Sequence, residues 1–346
     1  MTPRLPPLLA PNFPMNATRS LLLLFTACLT VSCPAADPTN SFAGPVTRHG
    51  RLHVAGTHIV GADGQPVSLA GMSFGWSQWE AAPYYNESVV RWLKQDWKCD
   101  IVRAALGLEP AGYLNHPKEN EARVCTVIDA AIAADLYVLI DWHDHHAHEH
   151  PQLAVDFFQR MARRYGHRPN VIYEIYNEPR KEVTWGRDVK PYALQVVAAI
   201  RAIDPDSLII VGSPNWSQDV DIAAQDPIRD ANLAYTLHFY TGTHKEWLRQ
   251  KARRAMELGV ALFVTEWGMC DSDGSGPIDE GSTREWLAFL REFQLSHCLW
   301  QLSDKVETVS VLQPGASPTG NWPDAALTDY GRKARNLIRN WSAKTD

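Results

Sequence analysis

No stretch of this chain is rich in lysine and arginine, and 33 basic against 39 acidic residues leave a formal net charge of −6. That balance argues against a nucleic-acid backbone as the main partner. Cysteine is sparse as well: six in 346 residues, and beyond residue 36 only Cys99, Cys125, Cys270 and Cys298, with no CxxC pair among them. Such scattering argues against a disulfide-built scaffold or a cysteine zinc site. Cys99 and Cys298 lie beside apolar runs and are expected to be buried as small hydrophobes. There is no GxGxxG turn for a dinucleotide, no low-complexity tract and no linker to a second domain.

The apolar run "LLLLFTACLTVSC" at 21–33 is too short to span a bilayer. It follows Arg19 and precedes "PAADPTNS", the pattern of an export signal. Two readings of its end stand open. "TVSC" resembles a bacterial lipobox that would lipidate Cys33 and anchor the chain to a membrane, with "FTAC" at Cys28 competing; cleavage near Ala35 or Ala36 would instead free it. Met15 competes with Met1 as the start. Residues 1–36 are set aside as signal peptide and short linker and 37–346 as the single folded domain, expected to be an exported monomer.

Aromatic residues, by contrast, are plentiful: thirteen Trp, eleven Tyr and ten Phe, enough to furnish both a core and a binding cleft. "RLHVAGTHIVGADGQPVSL" reads as a hairpin turning at Asp63-Gly64. After it, eight short apolar runs read as strands: "VSLAGMSF", "DIVRAAL", "YVLIDWH", "VIYEIYNE", "SLIIVGS", "LAYTLHFY", "ALFVTEWG" and "HCLWQLSD". Segments with apolar residues three and four apart lie between them, one stripe per helix. The weakest helix signal is "PNWSQDVDIAAQDP". This alternation predicts a single α/β domain, a (β/α)8 TIM barrel with an N-terminal β-hairpin, in preference to an open doubly wound sheet.

The strands begin apolar and end in residues that a core would not choose. Arg103 lies in the second, His143 ends the third and Asn177-Glu178 the fourth. His238 and Tyr240 end the sixth, Glu266-Trp267 the seventh, and Trp300 lies in the eighth. In a barrel these converge on the C-terminal face, where active sites sit. Glu178 and Glu266, on strands roughly opposite each other, form the carboxylate pair that glycoside hydrolysis needs. A salt bridge at the rim would explain either one alone.

At this point a resemblance becomes specific. "IYEIYNEP", "LHFY", "TEWG", "GMSFGWSQW", "VTWGRDVKPYA" and "PGASPTGNW", in order from about Leu69 to about Tyr330, resemble the glycoside hydrolase family 5 cellulases, closest to bacterial endo-β-1,4-glucanases of its second subfamily. The resemblance implies Glu178 as acid/base and Glu266 as nucleophile, with no metal and no cofactor. It implies Asn177 on the sugar 2-hydroxyl and Arg103, His143, His238 and Tyr240 as the polar ring around the pair. Trp300 would be the platform before the scissile bond, with Trp79, Lys305 and Glu307 lining more distant glycone subsites and Trp216 a platform on the leaving-group side. A β-glucan is the implied substrate. Mannan or xyloglucan by the same machinery, a non-catalytic carbohydrate-binding protein and a metal-dependent hydrolase compete.

A retaining mechanism further implies carboxylates about 5–5.5 Å apart, and like-charge repulsion predicts a raised pKa for Glu178. Two departures from the pattern stand on the glycone side. Gly75 takes the place of a common histidine and Gly107 that of a common tyrosine, which predicts a roomier pocket open to substituted backbones. "LIDWHDHHAHEH" holds five of the thirteen histidines. "HAHEH" is one residue short of the HxHxDH of metallo-β-lactamase-like hydrolases. The run is expected to be a rim loop contributing one cleft residue, His143, with Pro151 opening the next helix.

Overall fold

The computed structural model describes Met1 and residues 44–341. The expected signal, lipobox and cleavage sites of residues 1–36 therefore lie outside the described residues. The chain divides into Met1–Ser41 and Phe42–Asp346, and the fold belongs to the second unit.

Eight parallel strands close into a barrel in the order β10-β3-β4-β5-β6-β7-β8-β9. They are β3 (Ala70–Phe74), β4 (Ile101–Gly107), β5 (Tyr137–His143), β6 (Val171–Glu174), β7 (Ile209–Val211), β8 (Leu233–Tyr240), β9 (Leu262–Gly268) and β10 (His297–Leu302). Every residue of all eight is buried, because helices cover the outer face and side chains fill the inner one. The expected helices form between them, among them Pro117–Ala133, Pro151–Tyr165, Lys190–Arg201, Glu246–Glu257, Glu280–Glu292 and Asp329–Arg339. Pro151 occupies the first helical turn as anticipated, since its missing N–H costs nothing there. The weak segment gives a tight turn at Pro214–Ser217 and the short helix Val220–Gln225. Among the described residues, Cys99, Cys125, Cys270 and Cys298 are free and buried.

The N-terminal hairpin forms at the expected Asp63-Gly64 turn, and a second one precedes it. β1 (His53–Ala55) pairs with β2 (His58–Val60) across Gly56-Thr57, with Gly56 at a φ of 62°. Asp63-Gly64 makes a tight turn in which Asp63 Oδ1 accepts from the Gln65 N–H at 3.0 Å. Across it Val60 bridges Pro66 antiparallel and the Val67 N–H donates to the Ile59 carbonyl at 2.9 Å, so the expected turn is present beside the one at Gly56-Thr57. Ile59 must face inward with Val46, Leu52, Val67 and Leu69, which pack against Ile101, Leu139, Ile172 and Phe263. Those are barrel-lining residues from the N-terminal halves of their strands, so this segment seals the end opposite the strand C-termini.

One irregularity bears directly on the site. Thr236 pairs with Phe263 but His238 pairs with Glu266, so β9 carries one extra residue against β8. Such a bulge re-aims side chains. Thr265 and Glu266, consecutive residues that a regular strand would point to opposite faces, both reach residues of the barrel interior. Trp267 is turned away. It packs against Phe239 and donates its indole N–H to His297 Nδ1 at 3.1 Å, a packing role and not a cleft one.

Candidate active site

At the C-terminal ends of the strands a fully buried arginine organises the carboxylates. Arg103, on β4, donates from Nε to Glu174 Oε2 (2.7 Å) and from Nη1 to Glu266 Oε2 (2.9 Å). Its Nη2 donates to Asn177 Oδ1 at 2.6 Å and lies 2.9 Å from Asp141 Oδ2. The planar five-donor fork suits this divergent task, which a lysine could not perform. Tyr240 donates its hydroxyl to the other oxygen of Glu266 at 2.6 Å. Glu266 is thus held by a guanidinium on one oxygen and a phenol on the other. Glu174, Asp141 and Thr265 are members of this network that sequence reasoning passed over. Asp141 lies two residues before His143, and strand alternation puts both on one face.

Glu178 has a different environment. It lies beyond the end of β6, fixed by a backbone bond from its N–H to the Asp144 carbonyl at 3.3 Å. His238 Nδ1 approaches Glu178 Oε1 at 2.9 Å and His145 Nε2 approaches Oε2 at 3.2 Å. Burial alone would raise this carboxyl, but the bonds to His145 and His238 overcome it and hold it well below the usual carboxylate range. The direction is therefore the reverse of the expected raised pKa. Repulsion from Glu266 is outweighed by two imidazoles. Burial works against charge on His238, yet Glu266, Glu174 and Glu178 together raise it to about 9. Its other nitrogen reaches Thr265 Oγ1 at 2.8 Å, and Thr265 passes the bond on to Glu174 at 2.6 Å.

An oxygen of Glu178, a nitrogen of His238 and an oxygen of Glu266 all lie within 4.8 Å of one another. Among the described residues this is the one grouping of three or more His, Cys, Asp or Glu close enough to hold an ion. It is not in the histidine loop. There His146 reaches Glu149 at 3.4 Å and His148 reaches the Tyr176 hydroxyl at 2.8 Å. The loop gives the cleft two residues where one was expected: His143 and His145. Burial and the charge of Arg103 push the His143 imidazole down to about 3, so it is neutral, and it stacks flat on Trp300 with ring centres 5.0 Å apart.

The cleft runs to both sides of the carboxylates, with Tyr240 lining both halves. On the Trp300 side a cavity of about 150 Å³ is lined by Trp79, Trp300, Gln301, Lys305 and Glu307. Here the expectation of extra room fails. A Cβ on Gly75 would lie 2.1 Å from Gln301 Oε1, and one on Gly107 would lie 1.9 Å from Gln78 Oε1. The space those glycines leave is filled by two glutamines. On the Glu178 side the groove is larger, about 600 Å³, and Trp216 lines it. Asn215, Trp216 and Ser217 all have positive φ, near 59°, 55° and 57°. Three such residues in a row are costly for side chains with a Cβ. The turn is pinned to the Glu178 segment by bonds from Trp216 N to the Pro179 carbonyl (2.8 Å) and from Ser217 Oγ to the Asn177 carbonyl (2.7 Å). All twelve residues singled out from the sequence thus sit on or directly beneath one cleft.

A closed (β/α)8 barrel with two carboxylates less than 5 Å apart at its mouth is the architecture of glycoside hydrolysis. The family model for cellulase, glycosyl hydrolase family 5, matches residues 60–306. The chain belongs to that family. It is 49% identical to Endoglucanase Z of Dickeya dadantii over 296 residues, 85% of this chain and 67% of that one. An endoglucanase of Clostridium saccharobutylicum is 40% identical over 92% of this chain and 70% of its own length. Among solved structures, one from Cytophaga hutchinsonii superposes with a TM-score of 0.85 at 47% identity, covering 87% of this chain and 98% of that one. The catalytic domain of a Thermobifida fusca endoglucanase in complex with cellotetraose gives 0.81 at 33%, covering 86% and 99%.

Proposed function

We propose that the chain is a retaining endo-β-1,4-glucanase, hydrolysing internal β-1,4 bonds of cellulose and related β-glucans by double displacement. The observation that carries the reading is the spacing of Glu178 and Glu266, whose oxygens lie within 4.8 Å. That is too close for an intervening water and right for a covalent glycosyl intermediate. The groove on both sides of the pair suits a chain bound through its middle. Filled space at Gly75 and Gly107 favours an unsubstituted glucan over xyloglucan.

In this mechanism Glu266, ionised and aimed by Arg103 and Tyr240, attacks the anomeric carbon and forms the glycosyl ester. Glu178 protonates the departing oxygen. His238 Nδ1 and His145 Nε2, at 2.9 and 3.2 Å, position the Glu178 carboxyl and lie within reach to share its proton. In the second half-reaction Glu178 takes a proton from water and the hydroxide cleaves the ester. Glu178 is acid and then base in one cycle. Asn177 has a buried amide nitrogen without a partner among the described residues, a donor free for a sugar hydroxyl. Trp300 and Trp79 offer ring faces to the apolar faces of glucose.

Reducing-sugar release from carboxymethyl-cellulose, mixed-linkage glucan, xyloglucan and glucomannan, with and without EDTA, tests this. Chelator-resistant cleavage of the glucans, abolished in Glu266→Gln, is expected. Cleavage that vanishes in EDTA but survives Glu266→Gln overturns the assignment. Export, free or lipid-anchored at Cys33, is proposed from residues 19–36, and the mass of the mature N-terminal peptide decides between the two forms.

A further inference from the structure

The Glu178 half of the cleft contains a second tryptophan that neither the sequence motifs nor the carboxylate chemistry accounts for. Trp247 is 44% exposed, among the large apolar residues most open to solvent, and it lines the same groove as Glu178 and Trp216. It stands in the first turn of the helix Glu246–Glu257, whose buried residues are Leu248, Arg249, Ala252, Ala255 and Met256. Trp247 is off that stripe, so packing the helix against the barrel does not require it.

The loop that leads into Trp247 is tied through His244 to Tyr240, the residue that holds Glu266. Tyr240, at the end of β8, accepts at its carbonyl from the N–H of Thr243 (3.0 Å) and of His244 (2.7 Å). The Tyr240 N–H in turn donates to His244 Nδ1 at 2.8 Å, and the Trp286 indole donates to the His244 carbonyl at 2.8 Å. The His244 ring, buried and locked by these bonds, lies 5.6 Å from the Trp247 ring. Besides Trp216 and Tyr240, the groove is lined by polar groups, among them Asn215, Gln218, Thr243 and Ser272. Separate aromatic faces among hydroxyl and amide groups make a poor protein-docking patch, which would be broadly apolar. It matches a pyranose ring, with C–H groups on its faces and hydroxyls on its rim.

We propose that Trp247, backed by His244, is a platform for a glucose ring of the β-glucan on the leaving-group side, additional to Trp216. This rests on the endoglucanase reading and extends it. The occupant is set by continuity: the groove that Trp247 lines is the one Glu178 opens into, so the segment of substrate released with the leaving oxygen must occupy it.

Trp247→Ala and Trp247→Phe are compared with the unmodified chain on cellohexaose, on cellohexaose carrying 18O at its reducing end, and on p-nitrophenyl β-cellobioside. The last substrate places only an aryl group beyond the scissile bond. Stacking of this kind predicts a fall in kcat/KM on cellohexaose of about three- to tenfold in Trp247→Ala. Trp247→Phe recovers most of the loss, cleavage of the labelled hexaose shifts toward its reducing end, and the aryl cellobioside is cleaved as before. Unchanged hexaose kinetics and cleavage positions in Trp247→Ala overturn the proposal, and so does an equal loss on the aryl substrate. Failure of the unmodified chain to cleave any cello-oligosaccharide overturns the endoglucanase reading as well, an outcome distinct from either.

Discussion

On one side of the carboxylate pair the cleft narrows to about 150 Å³ between Trp79, Trp300 and a chain of interlocked side chains. There Gln301 donates to Glu307, whose other oxygen meets Lys305 Nζ at 2.7 Å. On the other side it widens to about 600 Å³, lined by Trp216 from a loop and Trp247 from the start of a helix. The contrast follows from where each wall is built. Trp300 and Gln301 stand on β10, where the barrel fixes their positions. Trp216 depends on a strained turn, pinned by a few bonds to the Glu178 segment. A tight grip on the sugar that becomes covalently bound serves transition-state stabilisation, whereas an equally tight grip on the departing chain would only slow its release.

The comparison can be broken in four ways, the first with the largest effect. Glu178→Gln removes the proposed acid facing the wide half and is expected to lower kcat on glucan by about 10²–10⁴-fold. A dinitrophenyl cellobioside, whose leaving group needs no proton, should lose far less in its first step. Equal losses on both would mean that Glu178 is not the acid. Arg103→Met removes the support shared by both halves and leaves Glu174 and Asp141 buried without their partner. Urea denaturation should show about 3–5 kcal/mol lost, as for a broken buried ion pair.

The third test uses pH. Burial disfavours charge on His238, but Glu266, Glu174 and Glu178 raise its imidazole from 6.5 to about 9 in the folded chain. A raised folded-state pKa stabilises fully below the unfolded value and loses that contribution as pH rises through the folded one. The stability gap between the unmodified chain and His238→Asn should therefore be widest below pH 6.5 and close as pH passes 9, with a span on the order of 3 kcal/mol. A gap that stays constant from pH 6 to 10 would show that His238 is not charged in the fold. The smallest effect belongs to the narrow half. Gln301→Ala should open the space before Gly75 and raise xyloglucan cleavage relative to carboxymethyl-cellulose by a small factor. An unchanged ratio would mean that Gln301 is not the wall.

How much of this was legible in the sequence depends on what kind of physics placed each residue. The eight strands and their helices were readable because burial imposes periodicity. The polar strand ends were readable because nothing but a functional face explains so many of them together. Glu174 and Asp141 sat within the same runs and were passed over, although alternation puts Asp141 beside His143. The bulge that brings Thr265 and Glu266 to the same interior depends on register with β8, which no single strand reveals. Gln78 and Gln301 were beyond reach for a similar reason. A glycine in sequence reads as empty space, and only the fold shows which distant side chain fills it. The turn at Asp63-Gly64 was legible from its dipeptide, whereas the one at Gly56-Thr57 was not, because the strands it joins are only three residues each.

Arg103 carries a consequence for how the chain comes to life. Its partners come from separate parts of the sequence: Glu174 is 71 residues away and Glu266 is 163. They meet only when β4, β5, β6 and β9 have taken their places around the ring. A chain with all its helices formed but its ring still open would look nearly native by circular dichroism and would cleave nothing. Recovery of activity during refolding should therefore trail recovery of helical signal, and the lag times the closing of the ring.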